Sequence, residues 1–159
     1  MLTREQVYTW LEEVKDPEIP VLSLVDLGVI TDVQIDAGQV FIEMTPTFVG
    51  CPALDFMKQD IHETLTRHGV DQITIEVTFR KAWNSDLITE KGKAALKKFG
   101  LAPPPSRELF TELDVLEHAV CPRCNGNNTE LRNTFGPTLC RSIHYCNTCH
   151  EAFEQFKPL

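Results

Sequence analysis

A chain of 159 residues with 42% hydrophobic and 24% charged side chains has an ordinary globular composition, long enough for one domain and a small appendage. Its formal net charge of −8 is uneven: residues 121–159 hold four Lys/Arg against three Asp/Glu, while the first 120 hold 11 against 20. An acidic body without a basic stripe argues against nucleic acid as a partner, and no apolar run or leader-like start points to a membrane. The expectation is a cytoplasmic protein with protein partners.

In chain order, Thr3-Arg4-Glu5-Gln6 has the form of a capping box, and Val7, Trp10, Leu11 and Val14 then recur at helical spacing. Asp16-Pro17 closes that helix, because the residue before a proline is pushed out of the helical region. Residues 16–28, with Pro17, Pro20 and Gly28, read as an ordered loop. Val29 to Ile35 and Val40 to Met44 flank the turn Asp36-Ala37-Gly38-Gln39, a hairpin pattern. Leu54, Met57, Ile61 and Leu65 mark a second helix closed by Gly69. Ile73 to Phe79 alternates with period two, as a strand buried on one face does. Thr89 to Phe99 is a shorter helix stopped by Gly100. The order α-β-β-α-β-α predicts an α+β fold over residues 1–102: two layers, with helices on one side of a three-stranded sheet. Pro103-Pro104-Pro105 opens a stiff connector, read as a linker over 103–120, within which Leu109 to Val120 shows no clear period.

The tail, 121–159, carries C-x₂-C at Cys121/Cys124 and again at Cys146/Cys149, with 21 residues between. Each pair can place two sulfurs on one ion from a tight knuckle, and two knuckles complete a tetrahedral S₄ site. Thr129 to Phe135, Arg141 to Tyr145 and Ala152 to Phe156 supply strands, which makes the segment a zinc ribbon. So short a segment cannot bury enough core to fold alone, so the metal is its staple. A closed site of this kind does no chemistry. Zinc is the expected metal, although S₄ also suits iron. Cys140 lies outside both knuckles and reads as a buried strand residue, with a fifth ligand as the alternative. His144 and His150 are alternative ligands that four thiolates make unnecessary.

Cys51 stands apart, between Gly50 and Pro52 at a strand-to-helix corner. With Pro52 as the first helical residue, Cys51 becomes the N-cap, and the helix end would favour its thiolate. The bland alternative is a small buried cysteine. Asp16, Glu18 and Asp26 lie in the loop 16–28. They are either carboxylates able to share a metal with a thiolate or ordinary turn-formers and solvated side chains. Trp83, near Lys81 and Asp86, is an interface anchor or a cover for core. There is no Ser-His-Asp spacing, phosphate-binding glycine loop, dinucleotide fingerprint or Glu-x-x-His pair, so the chain is not expected to be catalytic by itself.

The segments Asp16-Pro17-Glu18-Ile19-Pro20, Asp26-Leu27-Gly28-Val29-Ile30 and Thr45 to Pro52 resemble the small domain family used in iron–sulfur protein maturation. Together with the Trp83 to Asp86 stretch and the "CPRC…FGPTLC…CNTC" ribbon, the chain resembles the family of D subunits, also called J, of phenylacetyl-CoA epoxidase systems. That resemblance implies an accessory role: helping to mature or insert an iron or iron–sulfur centre in the oxygenase or its reductase. It makes Cys51 the suspected functional thiol, with Asp16, Glu18, Asp26 and Thr47 around it and iron or a cluster held there transiently. Cys121, Cys124, Cys146 and Cys149 carry structural zinc, and Cys140 matches a family cysteine without a role. The expected partners are oxygenase or reductase subunits and iron–sulfur assembly proteins, with self-association left open. The alternative is a zinc-stapled interaction adaptor in which Cys51 is structural.

Overall fold

The computed structural model describes residues 1–106, 117 and 119–158, so most of the expected linker lies outside the described residues. The chain divides into two compact units. The first comprises Met1–Trp83 with Leu87–Thr89, and the second Asn84–Asp86 with Glu90–Leu159.

In the first unit, helix α1 (Arg4–Leu11) opens with the expected reciprocal cap, Thr3 and Gln6 each taking the other's backbone N–H. It ends a turn before Asp16-Pro17, burying Val7 and Leu11. Strands β1 (Ile30–Asp36) and β2 (Gln39–Met44) form an antiparallel hairpin, paired from Ile30 with Met44 to Asp36 with Gln39. Ala37 and Gly38 both take positive φ, the backbone that a two-residue turn between twisted strands requires. Helix α2 (Leu54–Arg67) then carries the chain across to β3 (Ile73–Val77), which pairs in parallel with β2 from Val40–Ile73 to Met44–Val77. The strand order is therefore β1-β2-β3, with β2 central. A parallel pair needs such a crossover. Met57, Ile61 and Leu65 of α2 are buried, as are Val40, Ile42 and Met44 of β2.

The loop 16–28 is part of this core. Ile19, Leu22, Leu24 and Leu27 are almost wholly buried, each worth about 1.5–3 kcal/mol by transfer from water. Gly28 closes it at φ +78, and a Cβ there would lie 2.6 Å from the carbonyl oxygen of Leu87. Trp83 is buried too, its Nε1–H donating to the Leu27 carbonyl at 3.0 Å, so it serves this core.

In the second unit, helix α3 (Glu90–Phe99) stops at Gly100, φ +97. Strands β4 (Leu101–Ala102), β5 (Thr129–Asn133), β6 (Arg141–Cys146) and β7 (Ala152–Phe156) form a sheet in the order β4-β7-β6-β5. The three-stranded sheet of the expected α+β fold and the ribbon sheet are both present, and the ribbon gains a fourth strand. The division of the chain differs from the one read along the sequence: α3 and β4 belong to the compact unit that holds the ribbon. The cause is register, since Leu101 and Ala102 pair in parallel with Glu154 and Gln155, partners more than fifty residues away. Among the described residues no helix is long and apolar enough to cross a membrane.

Candidate metal centre and thiol site

The four ribbon sulfurs meet. Cys121 Sγ lies 3.7 Å from Cys149 Sγ, Cys124 Sγ lies 3.6 Å from Cys146 Sγ, and all four are within 4.8 Å of one another. A metal bonded to four thiolates at about 2.3 Å sets tetrahedral sulfur–sulfur edges of about 3.8 Å, so these side chains fit such an ion. The four sulfurs are a donor set that could hold a metal ion. Those distances suit zinc and iron alike.

The two knuckles repeat one hydrogen-bond pattern. The N–H of Cys121 donates to Gly126 O and that of Cys146 to Glu151 O, while the first-cysteine carbonyls accept from Asn125 and His150. Asn125 (φ 58) and His150 (φ 61), each just after the second cysteine, take the left-handed backbone that lets the knuckle close. The Cys149 and Thr148 amides hold the Cys146 thiol down to about 6 against its burial. Burial and the neighbouring sulfurs push Cys149 up to about 12. A metal bound there takes the cysteines as thiolates, so its binding releases protons.

The other candidates stay outside. His144 is fully buried, its Nε2 2.9 Å from Ser142 Oγ and its ring stacked on Phe153 at 5.5 Å. Burial lowers its pKa, which keeps it neutral. His150 serves as the left-handed residue of its knuckle. Cys140 is buried, with its sulfur 3.1 Å from Thr138 Oγ1, just before β6 begins.

Cys51 is not the N-cap that its place before Pro52 suggested. Helix α2 begins at Leu54 with Ala53 as its N-cap, so Cys51 sits in a preceding turn in which Leu54 N–H donates to the Cys51 carbonyl. Its thiol is half-buried and its pKa is raised, not lowered: burial dominates, Asp16 and Glu18 add to it, and the Ala53 and Leu54 amides only partly oppose it. The helix end does meet the sulfur, yet desolvation and two carboxylates outweigh it. The resting group is a thiol.

Asp16 and Glu18 act on Cys51 through their charge. Asp16 is itself buried, its Oδ1 accepting the Glu18 and Ile19 amides at 2.8 and 2.9 Å, while Glu18 is exposed. Asp26 serves the loop: Oδ2 accepts from Ser23 Oγ at 2.9 Å and Oδ1 from Thr89 Oγ1 at 2.7 Å. Thr47 is half-buried in the segment leading to Cys51. Ser23 was missed from the sequence, although Ser23-x-x-Asp26 is a capping spacing that could have flagged it. Among the described residues the only preassembled group of three or more metal-ligating side chains is the four-cysteine cluster.

Two family descriptions match: iron–sulfur cluster assembly protein over residues 4–77 and PaaD zinc beta ribbon domain over residues 105–157. An Escherichia coli K12 protein, provisionally named as the D subunit of 1,2-phenylacetyl-CoA epoxidase, is 34% identical over 96% of this chain and 91% of its own length. The chain belongs to the family of phenylacetyl-CoA epoxidase D subunits. A Porphyromonas gingivalis Fe-S protein maturation auxiliary factor is 38% identical over 59% of this chain and 90% of its own. A solved domain of unknown function from Bacillus anthracis covers 58% of this chain and 89% of its own, at 30% identity and a TM-score of 0.55. The two family descriptions thus fall on different parts of the chain, the first over the three-stranded sheet and the second over the strands of the ribbon.

Proposed function

We propose that this protein is an accessory factor of a phenylacetyl-CoA ring-epoxidising system, where it helps to load an iron or iron–sulfur centre into an oxygenase or reductase partner. The carrying observation is the contrast between two cysteine environments on one chain. The ribbon sulfurs form a closed set of four, suited to a permanent structural zinc. Cys51 is single and half-exposed, under the charge of Asp16 and Glu18, and among the described residues it belongs to no preassembled group of three ligands. A site that must release its cargo is better under-coordinated than closed.

The chemistry follows from the charge. Partial burial, helped by two carboxylates, holds Cys51 protonated at neutral pH, which protects it from idle oxidation. A ferrous ion as cargo is attracted by the same carboxylates. On binding, the S–H bond breaks, the sulfur lone pair bonds iron, and the proton leaves to water. Transfer to a partner reverses the step. Val49 and Phe56, 79% and 64% exposed, flank the thiol along the chain and give a partner protein apolar surface to cover. The domain of residues 1–83 would be the working part and the ribbon a metal-stapled companion. Reduced thiols fit the cytoplasm.

The test compares anaerobically purified wild type with Cys51→Ser after incubation with ferrous iron and sulfide. One zinc per chain in both, with additional iron only in the wild type, is the expected result. Equal iron in the two would sink the transfer role and favour the adaptor reading. That second reading draws on Asp16, whose carboxylate is already engaged in shaping its own loop.

A further inference from the structure

The first unit holds the whole net charge of the protein, with 6 Lys/Arg against 14 Asp/Glu, whereas the second is balanced at 9 against 9. Within the first unit an open groove of about 900 Å³ runs between α2 and the segment 13–20. Val14, Pro17 and Pro20 give it an apolar floor, and Glu13, Asp16, Asp60 and Glu63 line it with carboxylates. Lys15, His62 and Arg67 line it as well: Lys15 Nζ donates to the Glu12 carbonyl at 2.8 Å, and Arg67 reaches Thr64 Oγ1 at 3.0 Å and Glu13 at 3.9 Å, while Glu13 also meets His68 Nε2 at 2.8 Å. Asp60 and Glu63, one turn apart on an exposed stripe of α2, meet no cation among the described residues.

We propose that this groove docks a basic segment of a partner protein, one in which Lys or Arg alternates with apolar side chains. Lysine or arginine stems would lie on the valine and proline floor while their charged heads meet Asp60 and Glu63. An open groove of this size suits a stretch of polypeptide better than a small molecule, which would need enclosure. The occupant is basic because the lining, and the unit around it, is acidic. From the proposed function this takes only that a protein partner exists.

The probe is a fluorescein-labelled 14-residue amphipathic peptide with lysines on one face and leucines on the other. It is titrated into the full-length protein by anisotropy at low salt, beside a control with glutamates for the lysines. Binding of the lysine peptide alone is expected, with amide resonance shifts concentrated at residues 13–18 and 58–67. Asp60→Lys with Glu63→Lys should weaken it at least tenfold. Asp36→Lys with Asp71→Lys, the same charge change on exposed positions outside the groove, should weaken it less than threefold. Equal losses from the two reversals, shifts centred elsewhere, or no binding would each overturn the proposal. The assay contains no metal, so its failure leaves the iron comparison at Cys51 untouched.

Discussion

Replacing Gly28 by alanine tests how firmly the loop beside the thiol is held. Gly28 has φ +78, a left-handed backbone that costs a residue with a Cβ about 1–2 kcal/mol. The new Cβ would also stand 2.6 Å from the Leu87 carbonyl oxygen and 2.7 Å from Leu87 Cβ. Neither is the far end of a flexible side chain, so the backbone must shift, an overpacking cost of about 1–3 kcal/mol. Together these predict a loss of about 2–5 kcal/mol. The same turn presents the Leu27 carbonyl to Trp83 and sets Asp26 against Thr89, so movement there also loosens those two hydrogen bonds. The assay is urea unfolding followed by tryptophan fluorescence. Both tryptophans, Trp10 and Trp83, lie in the first unit, so the signal reports that unit alone. Ribbon metal content should stay at the wild-type value. A stability loss below about 0.5 kcal/mol would refute the argument, because a strained backbone and a sub-van der Waals contact cannot both be that cheap.

Other outcomes follow from the same geometry. Glu18→Gln removes one of the carboxylates that hold the Cys51 thiol up, so its alkylation by iodoacetamide at neutral pH should become faster; an unchanged rate would contradict the electrostatic coupling. Because the folded-state pKa of Cys51 is raised, its contribution to stability is complete below the unfolded thiol pKa of about 8.5 and is lost as pH rises through the folded value, which titration of the unfolding midpoint from about pH 7 to 10 would register. His150→Gly should keep the ribbon metal and slightly stabilise the second knuckle by relieving its positive φ, and metal loss would instead mark His150 as a ligand. Cys124→Ser should strip the ribbon of its metal and expose residues 121–158 to protease, while a protected, metal-loaded variant would contradict the four-thiolate site. Thr3→Ala removes a reciprocal cap and should cost about 1 kcal/mol in the same fluorescence assay.

Much of this protein was determined by local chemistry that a sequence displays directly. A capping box at Thr3, period-two alternation at Ile73, glycines past two helix ends and paired C-x₂-C knuckles each act within a few residues, so their outcome does not wait on the rest of the fold. Even the four-sulfur site was legible, because each knuckle is built by its own backbone hydrogen bonds. The tertiary structure decided what depends on distant partners. That β4 joins the ribbon sheet rests on a register with residues 154 and 155, which no local pattern encodes. The state of Cys51 was decided in the same way. Its helix end argued for a thiolate, but burial in the assembled fold raises its pKa, and the charges of Asp16 and Glu18, more than thirty residues earlier, add to that. Desolvation and Coulomb repulsion act through space, and only the assembled fold says which charges stand close enough to count.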